Sequence, residues 1–103
     1  MGVINAETAV LQALLRGPAF GLEVIERVAR YTAGTVRVHQ GNVYPILRRL
    51  AAEGLLETYE AEPRPERGGR PRVYYKLTGA GERAALEQRE RIAPLFGFAP
   101  APA

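Results

Sequence analysis

The chain contains no cysteine, a single histidine, and no apolar run near the ~20 residues needed to span a membrane. Without cysteine, disulfides, thiolate metal sites and a cysteine nucleophile are excluded. The lone histidine, His39, stands without convergent partners for a metal ion. Nucleophilic catalysis needs a nucleophile and a base within reach of one another, and neither such a pair nor an acid pair can be identified. An enzyme, a cofactor and a metal site are therefore not expected. The glycine-containing stretch "GGRPR" lacks the Gly-x-x-x-x-Gly-Lys-Ser/Thr spacing of a phosphate-binding loop. At the N-terminus, "MGVINAETAV" has no basic region leading into an apolar core, so a secretory signal is not expected. These absences predict a soluble, cytoplasmic protein.

What is present fits one folded domain with a modest core: 103 residues, 47% of them hydrophobic. The net charge is only +3, but it is unevenly placed. Between Pro63 and Lys76 lie Arg64, Arg67, Arg70, Arg72 and Lys76 against one acid, Glu66. That segment carries +4, which leaves −1 for the rest of the chain. Concentrated positive charge is a footprint for phosphate; a charged, solvated loop has the same composition.

Periodicity predicts four helices and a hairpin. In the first helix, "NAETAVLQALLRG", Asn5 is placed to cap, Glu7 suits the first turn, and Val10, Leu11, Leu14 and Leu15 form the apolar stripe. Gly17-Pro18 stops it. The second helix, "AFGLEVIERVARY", puts Leu22, Ile25, Val28 and Ala29 on one side and allows an i,i+4 pair between Glu23 and Arg27. After Gly34, Thr35–Val38 alternates like a short strand. The third helix groups Val43, Ile46, Leu47, Leu50 and Ala51 on one face, and Gly41, Pro45, Arg48, Arg49 and Ala52 on the other. Gly54 ends it as a left-handed cap. Its start is open: Asn42 as N-cap would suit Pro45, whereas a start near His39 or Gln40 requires a lost hydrogen bond or a kink at Pro45. "LLETYEAEP" and "RPRVYYKLT" read as a hairpin of unassigned register, with Tyr74 and Tyr75 on opposite faces. Thr78 can cap a last helix, which Pro94 would end. Its stripe of Ala85, Leu86, Arg89 and Ile92 is thin enough either to lie on its own domain or to meet a partner subunit.

Helix, helix, helix, hairpin, helix is the order of an α+β winged helix-turn-helix. In that fold the helix after the turn enters the major groove and the hairpin reaches adjacent backbone or minor groove. The motifs go further. "LLRGPAFGLEVIERV", "GNVYPILRRLAAEGLLE" and "GGRPRVYYKLTGAGERAAL" resemble the PadR family of bacterial transcriptional regulators, over about Leu11 to Leu86. Phe20-Gly21-Leu22-Glu23-Val24 resembles the family's His-Gly-Tyr-Glu-Ile pattern, with Phe20 and Leu22 replacing its histidine and tyrosine. Gly41, Tyr44-Pro45, Leu47, Arg49-Leu50 and Gly54-Leu55 match the third-helix motif, with Asn42-Val43 where the family usually has Thr-Leu. Gly69-Arg70-Pro71-Arg72, Tyr74-Tyr75, Leu77-Thr78 and Gly81 match the wing and the approach to the last helix. The resemblance implies a homodimeric repressor on an inverted-repeat operator in double-stranded DNA, released in several members by a small-molecule effector. The single short helix at the C-terminal end is similar to the short branch of the family.

On that basis residues 1–78 form the DNA-binding domain, 79–96 a dimerisation helix with Leu86, Ile92 and Leu95 as contacts, and 97–103 a flexible tail. The candidate recognition residues are Gln40, Asn42, Tyr44, Arg48 and Arg49 on the helix of about residues 40–53. Arg64, Arg67, Arg70 and Arg72 are candidates on the wing of residues 63–72, and His39 is a candidate phosphate contact. Each has a plainer alternative: surface solubility for Arg48 and Arg49, packing for Tyr44, capping for Asn42, and pairing with Glu57 or Glu60 for Arg72. A winged-helix module that binds protein rather than DNA is the alternative for the whole chain.

Overall fold

The computed structural model describes residues 5–61 and 72–96. Asn5 opens the first helix: its side-chain oxygen accepts from the Thr8 N–H at 2.8 Å, pairing one of the amides that a helix start leaves unsatisfied. Helix α1 (Ala6–Leu14) buries Ala9, Val10, Leu11, Ala13 and Leu14. Gly17, at φ +130°, makes a turn open to few residues but glycine. The elements that follow are β1 (Ala19–Phe20), α2 (Gly21–Tyr31), α3 (Gln40–Ala52), β2 (Leu56–Glu60), β3 (Val73–Leu77) and α4 (Gly79–Phe96). The sheet has the order β1-β3-β2 and is antiparallel throughout. Three helices, a two-stranded wing and a C-terminal helix make a winged helix-turn-helix, with β1 as a third, edge strand.

The hairpin register runs from Leu56 opposite Leu77 to Glu60 opposite Val73. One face of the sheet carries Leu56, Tyr75 and Leu77 against the helices, where Val24, Val28, Val43, Leu47 and Leu50 complete the core. Tyr74 lies on the other face, as its alternation with Tyr75 requires.

Several expectations change. The short strand expected at Thr35–Val38 is an irregular turn; the third strand is Ala19–Phe20, which had been assigned to the start of the second helix. Two threonines bind the turn's backbone locally. Thr32 Oγ1 donates to the Val28 carbonyl (2.8 Å) and accepts from the Val36 N–H (3.3 Å), and Thr35 Oγ1 donates to the Thr32 carbonyl (2.6 Å). On α2, Val24 and Val28 are buried, whereas Leu22 is 45% exposed and Ala29 is also exposed. The orientation follows from Gly21: a Cβ there would lie 2.5 Å from the Tyr44 hydroxyl, so Gly21 is the side of α2 pressed on α3.

Glu23 and Arg27 do not pair with each other. Glu23 accepts from the Phe20 N–H at 3.1 Å. Arg27 reaches back to α1, donating to the carbonyls of Ala13 (3.2 Å), Gly17 (2.8 Å) and Pro18 (3.1 Å). Helix α1 has no basic residue in its own last turn, so Arg27 supplies the cation that its negative end favours.

Helix α3 begins at Gln40 with His39 as N-cap, so Pro45 is interior and Asn42 is not the N-cap. The proline takes away one N–H, the partner of the Gly41 carbonyl. Gly41 and Pro45 are both exposed, so water can compensate. At the other end Gly54 (φ +80°) donates to the Ala51 carbonyl and Leu55 to the Leu50 carbonyl, both at 3.0 Å, the paired bonds of a Schellman cap. Helix α4 continues past Pro94 to Phe96. The carbonyl that Pro94 leaves unpaired is that of exposed Glu90, so the proline does not by itself stop the helix.

The start of α4 is held at one point. Thr78 donates its hydroxyl to the Gly54 carbonyl (2.6 Å) and its N–H to the Leu55 carbonyl (3.0 Å), and its oxygen accepts from the Gly81 N–H (3.0 Å). A Cβ on Gly81 would overlap the Leu55 carbonyl oxygen. Further along, Gln12 of α1 donates to the Ala85 carbonyl at 2.7 Å, and Ala85 is fully buried.

These contacts make the stability of three variants predictable. Gly81→Ala should destabilise the fold by about 3 kcal/mol, as overpacking against rigid backbone does. Gly79→Ala, whose Cβ would meet only the Arg83 side chain at 3.6 Å, should be neutral or stabilising by up to about 1 kcal/mol. Denaturant unfolding of the two variants beside the parent protein measures the difference. Arg27→Ala should cost about 1–3 kcal/mol by orphaning part-buried carbonyls, read in the same assay.

Candidate nucleic-acid interface

The outward side of α3 is flat at its centre. Gly41, Pro45 and Ala52 are exposed there and small, and Arg48 is the one long side chain among them. Gln40, at the first position of the helix, is also exposed. A surface of this relief lets the backbone approach a groove while one guanidinium reaches ahead of it. Arg48 makes no ion pair among the described residues.

The two arginines are not equivalent. Arg49 lies round the helix toward α1 and forms an ion pair with Glu7. At 57% and 38% side-chain exposure, that pair contributes on the order of 0–1 kcal/mol. Arg48 lies on the other flank, within electrostatic reach of the Tyr75 hydroxyl. Burial, and secondarily Tyr44, push the Tyr75 ionisation above the ordinary phenol range, and Arg48 partly offsets them. Tyr75 is therefore a neutral phenol at physiological pH.

Tyr44 is half-buried, with its hydroxyl end against the backbone of Gly21. It is a contact between α3 and α2 that also borders the exposed face. Asn42 serves the cap from inside the helix: its side-chain oxygen accepts from the His39 N–H at 2.8 Å, while His39 Nδ1 accepts from the Gly41 N–H at 3.0 Å. The imidazole is exposed at the leading edge of α3.

On the wing, Arg64, Arg67 and Arg70 lie outside the described residues. Arg72 pairs with neither Glu57 nor Glu60. Its guanidinium lies 4.1 Å over the Phe20 ring, and its Nη2 is buried with no hydrogen-bond partner among the described residues. Register explains the difference. Glu57 stands opposite Lys76 and takes that cation at 3.3 Å, whereas Arg72 is beyond the last ladder pair, beside Ala61. The same face stacks Tyr59 on Tyr74 (5.4 Å) and sets Phe20 edge-on to Tyr74 (5.6 Å). Arg72 thus extends an aromatic row across all three strands.

On α4, Leu86 is 48% exposed, Ile92 is half-buried, and the side chain of Leu95 lies outside the described residues. The helix divides between uses: Ala85 packs on α1 and Leu86 faces outward. Arg37 was not among the sequence candidates. It is exposed in the connection into α3, two residues before His39, and its signal was its position beside a helix start rather than in a basic cluster. Among the described residues no three metal-ligating side chains converge, and no helix is long and apolar enough to cross a membrane.

Comparison with known proteins agrees with this geometry. The family model described as "Transcriptional regulator PadR-like family" matches residues 10–87. A PadR-like transcription factor from Bacteroides fragilis is 31% identical, with 88% of this chain and 82% of that one covered, at a TM-score of 0.69. A PadR family transcriptional regulator from Eggerthella lenta is 29% identical over 87% of this chain and 76% of that one, at a TM-score of 0.66. A Streptococcus transcriptional regulator shares the fold at 22% identity and a TM-score of 0.69, with 88% and 84% covered. Among curated proteins the chain has no match. By its fold and by a family match spanning residues 10–87, the chain belongs to the PadR-like family of transcriptional regulators.

Proposed function

We propose that this regulator acts as a homodimer on an inverted-repeat site in double-stranded DNA, with α3 as the recognition helix in the major groove. The observation that carries the reading is the outward side of α3, where Arg48 stands among Gly41, Pro45 and Ala52 with no carboxylate neutralising it among the described residues. An arginine so placed can donate two hydrogen bonds to guanine O6 and N7. Gln40 and His39 lie at the leading end of the same helix, and Arg37 is placed for backbone phosphate. Residues 63–72 then supply the wing, with Arg64, Arg67 and Arg70 toward backbone or minor groove. Arg72 anchors the base of the wing through Phe20 and adds charge behind the tip. Repression is the mode of action expected of such a dimer.

Two half-sites about 34 Å apart would match a two-fold dimer. The exposed Leu86, with Ile92 and Leu95 further along α4, is proposed as the contact between subunits. Two observations favour the second reading, a protein-binding winged helix: Glu7 pairs Arg49, and Glu57 pairs Lys76, so two cations already have partners. Arg48 is the residue that separates the readings.

Titration of the duplex spanning its own promoter against a scrambled duplex, by fluorescence anisotropy at several salt concentrations, tests the proposal. Arg48→Ala should lose about 1–3 kcal/mol of specific binding and relax discrimination at one base pair. Arg49→Ala should weaken all sequences alike, with a salt slope lower by at most roughly one. No preference for the promoter duplex over the scrambled one would favour the protein-binding reading. Leu86→Glu should shift the dimer toward monomer in size-exclusion chromatography with light scattering and weaken operator binding in parallel; a parent protein that is monomeric both free and on DNA would rule out the two-fold arrangement.

A further inference from the structure

The cap at the start of α3 is an unusual one. Serine, threonine, aspartate and asparagine are the common N-caps because their oxygens accept in every protonation state found near neutral pH. Here the acceptor is an imidazole nitrogen, His39 Nδ1, 3.0 Å from the Gly41 N–H. A backbone N–H can only donate, so Nδ1 must carry the lone pair and the ring proton must sit on Nε2. The cap thus selects one neutral tautomer. It also leaves the proton on Nε2 of an exposed ring.

We propose that His39 is a proton-gated cap on the recognition helix: neutral, it holds the first turn of α3 through Nδ1 and offers Nε2–H to the nucleic acid; protonated, it can no longer cap. Protonation places a hydrogen on Nδ1 and removes the acceptor, and it adds positive charge at the helix end whose amides already point outward. The Gly41 N–H loses its partner, and the end of α3 that leads into the groove loosens. The functional half of this proposal rests on the DNA-binding reading; the cap itself does not.

The chain has one histidine, His39, and no cysteine, and histidine is the side-chain type whose charge ordinarily changes near neutral pH. Its capping partners, Gly41 and Asn42, are uncharged. Neither ion pair of the described residues involves it. The nearest ionisable side chains along the sequence are Arg37, exposed before it, and Tyr44, half-buried one turn later.

The sign of the pH dependence separates this mechanism from a plain cation–phosphate contact. A form that must be neutral to bind takes up fewer protons, so affinity should fall on acidification. A histidine that binds phosphate as a cation would do the reverse.

The experiment uses the full chain, a duplex that it enriches from a random-sequence pool, and the variants His39→Asn and His39→Ser, both good caps that do not ionise. At constant ionic strength, parent affinity should fall about fivefold on acidification, the size of effect a lost helix cap has, while both variants stay flat. Nitrogen-15 NMR of the free protein should show Nε2 protonated and Nδ1 bare at the higher pH, with the Gly41 amide shifting as His39 titrates. Affinity that rises on acidification, or equal pH dependence in parent and variants, overturns the proposal. So does an Nδ1–H tautomer, or a Gly41 amide that ignores the titration. If the NMR result holds but no duplex is enriched, the cap stands and the DNA-binding reading is what fails.

Discussion

One threonine joins the three parts of this protein that have to keep their geometry together. Thr78 uses its hydroxyl twice, donating to the Gly54 carbonyl at the end of α3 and accepting from the Gly81 N–H at the start of α4, while its own N–H takes the Leu55 carbonyl at the base of the wing. Helix α3, the wing and helix α4 therefore meet over a few residues of backbone. Gly81 makes the meeting close enough, since any side chain there would occupy the place of the Leu55 carbonyl. The arrangement couples the angle of α4 to the position of α3 by hydrogen bonds rather than by bulk packing. Such bonds tolerate little displacement before they weaken.

Helix-level features were largely legible because they depend on neighbours in sequence. Asn5 caps α1, Gly54 ends α3, Thr78 starts α4, and the buried face of α3 is the one its periodicity marks. What escaped depends on partners far along the chain. Strand β1 is two residues long and exists only because β3 offers an edge. Leu22 looks like core on its own helix, but close approach at Gly21 turns it to solvent. Arg27 matches a local pair with Glu23 by spacing, yet it goes to three α1-side carbonyls while the half-buried Glu23 carboxylate takes the Phe20 N–H. The start of α3 was undecidable in sequence because Pro45 argues for Asn42 as cap, and the geometry resolves it with a histidine cap one turn earlier.

Charge shows the same limit. Composition places +4 between Pro63 and Lys76, but charge in a segment is not charge presented to a partner. Lys76 is held by Glu57, and Arg72 lies on an aromatic ring. On α3 two adjacent arginines look alike in sequence, and one helical step separates a cation with a carboxylate beside it from one with none among the described residues. The candidate site was legible as a region and not as a set of roles, since pairing decides the role and pairing is a tertiary property.

Pro45 carries a consequence beyond helix geometry. By removing an N–H from the middle of α3 it leaves the Gly41 carbonyl without its usual partner, on a side of the helix that is exposed. A regular helix keeps all its interior carbonyls for itself. This one gives up one intrahelical hydrogen bond between its first and second turns, and the carbonyl left over lies on the exposed side, where water can take it. The first turn of α3 is thereby tied less tightly to the rest of the helix, and the reciprocal bonds between His39, Gly41 and Asn42 carry more of the work of holding it in place.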